Sequence, residues 1–416
     1  MTAAMPGPTV LAWLTKRNPH AALLPPIAIS NHCDGCTTLP SFTYSFQGPL
    51  VVKSCARPNR ESRYRATGIL TVMYAMTILS ACTKTADVSR TVTEPVTVDI
   101  ISESDTAVLG TPMSMVADSE SGDLYVLEAV LGRVFHYNRR GTLLSTFGSL
   151  GGGPSELGSP AEIYLVKGTV VVADDGAKRL KFFGPDGRSV VRSIAYKGFP
   201  GSGAVSGDGE LLMGMLQSEG KTMAAILRPG ADTLSYFASM PRSYTGKAPL
   251  ASIFATTVVT WRDGLALVLA QATDSIQVVG MTDASSSALF VPRSRRTGVL
   301  KDEKAMAGMK WPQLLASHSA AFGMKALSDG SIVVVHMDLK AAGPATRANV
   351  WATRIGRDGS PICVDVPLAT DTDARPLIAF RGDTLLMLRQ RMSSDSSSVT
   401  ELLSWPAFQP PCSGGH

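Results

Sequence analysis

Two acidic residues and two arginines recur in step along this chain. Glu128 is followed five residues later by Arg133, Asp174 is followed in the same way by Arg179, and the two pairs stand 46 residues apart. Carboxylates at matching positions of a repeat can gather round a metal ion or act as general acids and bases. They can also tie a strand to its neighbour by charge. The return of each acid together with its arginine favours that structural role, because a catalytic group has no need to appear once per repeat. Other titratable candidates are sparse. None of the six histidines, His20, His32, His136, His318, His336 and His416, falls in an HxH or HExxH spacing. His136 occupies the repeat position of Phe182, which suits packing. His336 and Asp338 alternate with apolar residues and would share one face of a strand, but a metal there would need ligands from elsewhere. No Gly-x-Ser-x-Gly elbow is present, and the glycines of 148–153 lack the Lys-Ser/Thr of a phosphate cradle. No catalytic residue, metal or cofactor is therefore assigned.

Upstream, Arg60, Arg63 and Arg65 precede an apolar run from Ile69 to Leu79 and the small-residue stretch Leu79-Ser80-Ala81-Cys82. That order is the pattern of an export signal. The apolar run is too short for a bilayer, which takes about 20 residues. A cysteine directly after the small residues resembles a bacterial lipoprotein signal, and the resemblance implies cleavage, acylation of Cys82 and a membrane as partner. Thr83 in place of an aspartate resembles outer-membrane retention, so the expected address is the cell envelope, on the outer membrane and facing the periplasm. The expected organisation has five parts. Residues 1–60 are an extension that is either untranslated, removed with the signal, or a disordered leader. Residues 61–81 are the signal, 82–91 a linker, 92–408 the main domain and 409–416 a tail.

The charge is mild, +5 over 416 residues, and no Lys/Arg block with interleaved aromatics appears, so a nucleic-acid partner is not expected. Past Cys82 the remaining cysteines are Cys363 and Cys412, which could pair in an oxidising compartment and tie the tail to the body. The stretch 285–319 is longer than the repeat requires. It carries Arg293, Arg295 and Arg296, a candidate short helix over 301–310, and Trp311. Long loops on a rigid scaffold concentrate binding sites. These three arginines with Trp311 could recognise an anionic or sugar-bearing ligand; the alternative is a solvated basic loop.

The elements that must position these groups are β-strands. Leu124–Glu128 leads to Arg133–Tyr137 and Gly141, and Val170–Asp174 leads to Arg179–Phe183 and Gly187, at a constant offset of 46. That period belongs to propeller blades. Asp208-Gly209, Asp263-Gly264, Asp329-Gly330 and Gly382-Asp383 each precede an apolar strand, and Asp-Gly between apolar runs is a strong hairpin signal. Strand-after-turn units number six. Phe147-Gly148, the 151–157 run Gly-Gly-Gly-Pro-Ser-Glu-Leu, Pro160 and the two strand pairs resemble NHL-type six-bladed propellers, closely over 109–190 and loosely from 200 onward. The resemblance implies an all-β, six-bladed propeller of four-stranded antiparallel blades. Val92–Ile101 would supply the missing strand of the last blade and remove its open edge. It also implies a module that binds a protein or small-molecule ligand rather than an enzyme, and a monomer is expected. Two alternatives stand beside it: a metal-dependent hydrolase or lyase, as in calcium-dependent propeller lactonases, and a structural part of an envelope assembly.

Overall fold

Among the described residues, apolar runs rich in β-branched residues and separated by short turns form 24 strands, which assemble into six four-stranded antiparallel sheets. The computed structural model describes residues 95, 97–101, 109–217, 221–241, 256–281, 285–298, 309–310, 313, 316–342, 345–372, 376–392 and 398–406. The chain divides into Met1–Asp87 and Val88–His416, and every described residue lies in the second unit.

The first strand, β1 (Thr97–Ile100), stands apart from its sequence neighbours. Blade 1 contains β2 (Pro112–Ala117), β3 (Leu124–Glu128), β4 (Arg133–Tyr137) and β5 (Leu143–Phe147). Blade 2 contains β6 (Pro160–Val166), β7 (Thr169–Asp174), β8 (Arg179–Phe183) and β9 (Val190–Ala195). Blade 3 follows with β10 (Phe199–Val205), β11 (Leu211–Gln217), β12 (Thr222–Leu227) and β13 (Ser235–Ser239). In blade 4 the strands are β14 (Thr257–Arg262), β15 (Leu265–Ala270), β16 (Ser275–Gly280) and β17 (Ser286–Phe290). Blade 5 has β18 (Ala320–Ala326) and three long strands, β19 (Ile332–Ala342), β20 (Ala345–Ile355) and β21 (Pro361–Thr372). Blade 6 supplies β22 (Leu377–Arg381), β23 (Thr384–Met392) and β24 (Ser398–Trp405), and β1 completes it as the outermost strand, pairing Thr97 with Ser404 through Ile100 with Glu401. The first strands of successive blades touch in order, β2 to β6, β10, β14, β18, β22 and back to β2, which closes the ring. The expected fold class and the closing strand within 92–101 are both found.

Each blade is covered on both faces by its neighbours. Strands such as β11 and β15 are therefore buried almost without break, which is why they read as continuous apolar runs rather than alternating ones. An apolar cluster fills each of the six interfaces. Between blades 2 and 3, for example, Val171 and Phe182 meet Leu211 and Met213. The inner strands are also tied by polar contacts. Tyr164 Oη donates to the Gly201 carbonyl at 2.9 Å, Ser202 Oγ accepts from Val259 N at 3.0 Å, and Thr260 Oγ1 accepts from Ala326 N at 3.3 Å. One contact depends on a missing side chain: a Cβ on Gly214 of β11 would lie 2.1 Å from the Thr257 carbonyl oxygen, so only glycine lets β14 approach so closely.

With the inner strands all running the same way, antiparallel order sorts the loops onto two faces. Turns within the first and last hairpin of each blade lie on one, here the turn face. The central hairpin turns and the blade-to-blade connections lie on the other, the connection face.

Candidate functional site

The recurring carboxylates stand at the connection-face end of the second strand in blades 1 and 2. Glu128 opposes Arg133, and Asp174 opposes Arg179, in the strand register. Among the described residues, however, neither carboxylate is ion-paired to its arginine, which corrects the expected pairing. Glu128 is buried and accepts from Thr111 N at 3.0 Å and Leu131 N at 2.6 Å. Asp174 is buried and accepts from Gly158 N at 3.0 Å and Ser159 N at 2.9 Å, with the Lys181 ammonium 3.0 Å away. Arg179 is exposed and donates to the Ser193 hydroxyl at 2.6 Å and the Ser193 carbonyl at 3.0 Å. The physical reason is proximity: the connection into the blade arrives with unpaired amides exactly where the strand ends, and buried amides need acceptors. Burial pushes the Asp174 carboxyl up, but the Gly158 and Ser159 amides and the Lys181 charge outweigh it, and its pKa lies below the usual range.

The connection from blade 4 to blade 5 is held more elaborately. Asp365 lies on β21 at an irregularity in the β20–β21 register, with a φ of 49° that few non-glycine residues adopt. Its Oδ2 accepts from three successive amides, Ser294 N at 2.5 Å, Arg295 N at 2.7 Å and Arg296 N at 3.2 Å. The next amide, Thr297 N, goes to Asp338 Oδ1 at 3.1 Å, and Asp338 also accepts from Trp351 Nε1 at 2.9 Å. The Arg296 guanidinium is fully buried. Its Nε donates to Asp365 at 3.0 Å, its Nη1 to Asp274 at 2.5 Å and its Nη2 to the Val291 carbonyl at 3.0 Å.

Arg296 is therefore not available to a ligand. That corrects the expectation for this residue: its guanidinium donors are taken up by two carboxylates and two carbonyls inside the protein. Arg293 and Arg295 behave differently. Both are exposed, with Arg293 Nη1 3.7 Å from Asp274. Trp311, residues 301–308 of the helix expected over 301–310, and Cys82 and Cys412 lie outside the described residues, and the described residues 309–310 are not helical. Cys363, on β21, is buried and disulfide-bonded.

Asp274, Asp338 and Asp365 escape a reading of the sequence. They come from a hairpin turn of blade 4 and from two strands of blade 5, about 20 to 70 residues from the loop they hold, and no local spacing connects them. Beneath this loop His336 sits in β19 with no exposure and, among the described residues, no partner for either ring nitrogen. Burial, and then the Arg296 charge, push its pKa well below the usual value, so it is neutral. Among the described residues no group of three or more histidine, cysteine or acidic side chains is arranged to hold a metal ion. His136 stacks on Tyr125 at 4.3 Å and its Nε2 lies 2.9 Å from Asp123.

No protein-family model matches the chain, and no curated protein matches it by sequence. Among solved structures, a member of the DUF4221 family from Bacteroides vulgatus is similar with a TM-score of 0.56 at 9% identity, over 75% of this chain and 97% of its own. A Bacteroides fragilis protein inferred to be exported is similar with a TM-score of 0.50 at 8% identity, over 74% of this chain and 94% of its own. At such identities the likeness is one of fold.

Proposed function

We propose that this chain is an exported, lipid-tethered propeller that binds a protein or an anionic or sugar-bearing ligand on its connection face, through Arg293 and Arg295. One observation carries the reading. Four consecutive backbone amides, 294–297, are fixed by two buried carboxylates, and the arginine that follows the exposed pair is locked inside. Buried ion pairs contribute little net stability. What such an arrangement supplies is position: two guanidiniums are presented from a loop that has already lost its freedom, so less ordering entropy remains to be lost on binding. A disulfide at Cys363 fits an oxidising compartment, the Bacteroides fragilis structure inferred to be exported has the same fold, and the Cys82 signal supplies the tether.

The test is made in cells. A photo-reactive amino acid at position 295 is expected to give a defined adduct, while the same group at position 188, an exposed site on the turn face, gives none. The adduct should fade when Arg293→Ala and Asp365→Asn are introduced. Equal labelling from both positions, or none from either, would remove the binding role. Separately, Cys82→Ser should move the protein from the membrane to the soluble fraction; unchanged fractionation would remove the tether and leave the binding site standing.

A further inference from the structure

A second candidate site lies on the turn face, between blades 6 and 1. A cleft of about 530 Å³ opens there, lined by Ser119, Glu120 and Ser121 from the β2–β3 turn, Arg139 and Arg140 from the β4–β5 turn, and Arg381 and Ser404 from blade 6. Its walls are built from self-sufficient turns. Asp118 Oδ1 accepts from Glu120 N at 2.9 Å, its Oδ2 accepts from Ser121 Oγ at 3.1 Å, and its carbonyl accepts from Gly122 N at 3.1 Å. Asn138 Oδ1 fixes the other turn, accepting from Arg140 N at 2.9 Å and Thr142 N at 3.0 Å. Arg381 Nη1 donates to the Gly122 carbonyl at 3.0 Å, which aims its guanidinium along the cleft. Gly122, at a φ of 81°, has no side chain to hold the arginines off: a Cβ there would lie 3.2 Å from Arg139 Cβ and 3.4 Å from Arg381 Nη1.

Several arginines of the ring are neutralised in place. Arg192, Arg228, Arg296, Arg354, Arg357 and Arg389 each face a carboxylate. Among the described residues no carboxylate pairs with Arg139, Arg140 or Arg381. Of the acids nearby, Asp118 is committed to its own turn and Asp123 to His136 at 2.9 Å, while Glu120 lines the cleft itself. Three arginines line the cleft against the single carboxylate of Glu120, an excess of positive charge that favours an anion, and their forked donors match phosphate oxygens two at a time. The cleft is far larger than one phosphate and within the range of small-molecule sites. Beside the arginines it offers hydroxyls and the Glu120 carboxylate, which accept hydrogen bonds from alcohols and reject a second anionic group.

We propose that this cleft binds a phosphorylated polyol, with the phosphate on Arg139, Arg140 and Arg381 and the alcohol groups on Glu120 and the serine hydroxyls. Two sources share that chemistry, a glycerophosphate headgroup of a phospholipid and a free phosphate ester. The headgroup is a natural source because the chain enters the ring on this face: Thr97, the first residue of β1, is the register partner of Ser404.

The experiment uses the full chain and three soluble probes, sn-glycerol 3-phosphate, inorganic phosphate and glycerol, titrated by calorimetry. Vesicles of phosphatidylglycerol, with phosphatidylcholine as control, are tested in parallel by co-sedimentation. Binding of glycerol 3-phosphate about 10-fold or more tighter than inorganic phosphate is expected, with no heat from glycerol and with weakening at higher salt. The exposed double variant Arg139→Ala/Arg140→Ala should lose about 10-fold or more with an unchanged melting temperature. Sedimentation with phosphatidylglycerol that is lost in the same variant identifies the headgroup as source; binding of the soluble ester alone identifies a free ester. Absence of both, or affinities that the arginine changes leave intact, overturns the site. Equal affinity for inorganic phosphate overturns the polyol part.

Discussion

Removing the Arg296 side chain tests the account of the pinned loop most directly. In Arg296→Met a chain of similar length replaces the guanidinium, and two buried carboxylates, Asp274 and Asp365, lose their main counter-charge. Breaking a buried pair by deleting one partner costs about 3–5 kcal/mol. Asp365→Ala breaks the same buried pair from its other side and takes the acceptor from three loop amides as well, so it should cost at least about 3–5 kcal/mol. Asp274→Ala should cost less, about 1–2 kcal/mol, since Arg296 keeps Asp365. The expected order is thus Arg296→Met and Asp365→Ala well above Asp274→Ala. The double variant Arg296→Met/Asp365→Ala should fall short of the sum of its parts by about 1.5 kcal/mol or more, because the two residues act as a unit. Urea unfolding followed by tryptophan fluorescence measures all four. Additivity within about 0.5 kcal/mol, or a cost for Arg296→Met no larger than that of a surface substitution, would show that the buried guanidinium does not hold the loop.

Three further outcomes follow from the geometry. His336 is kept neutral by burial, so its folded pKa lies below its unfolded one; the unfolded chain takes up a proton as pH falls through about 6.5 while the folded protein does not, and stability should drop by up to about 1.4 kcal/mol per pH unit below that point. His336→Leu should flatten the difference in urea midpoint between pH 7.5 and 5.5, and an unchanged slope would contradict the burial argument. Gly214→Ala forces a Cβ to within 2.1 Å of the Thr257 carbonyl oxygen and should cost about 1–3 kcal/mol or more in unfolding free energy; a neutral result in thermal denaturation would show that β14 can retreat. Deleting the chain up to Ile101 strips the outer strand from blade 6 and bares the β24 edge, so light scattering should report concentration-dependent association that the intact chain lacks.

What the sequence made legible was local. Val170–Asp174 and Arg179–Phe183 lie next to each other in the chain and pair next to each other in the sheet, so strand, turn and strand could be read in a single pass. The Asp-Gly turns were equally plain; Asp263 and Gly264 both take positive φ, 53° and 74°, as a tight two-residue hairpin requires. Even the closing strand was foreseeable, because an open sheet edge has to be covered by something. The site was harder. Glu128 and Arg133 oppose one another as their spacing suggests, yet the carboxylate turns to the amides of Thr111 and Leu131, and only the path of the arriving connection reveals that choice. Arg296 read as one of three equivalent loop arginines. Its separate fate is decided by Asp274 and Asp365, which belong to different blades. The cleft at Arg139 and Arg381 was invisible for the same reason, since its two sides stand at opposite ends of the chain and meet only when the ring shuts.

That closure sets a timetable. Thr97 finds its partner in Ser404, so the first of the described strands to leave the ribosome waits for the last. Five sheets can form one after another during synthesis, but the sixth stays unfinished until β24 has been made. A pairing so distant in sequence forms slowly, so the blade that shuts the ring is the slow one to mature.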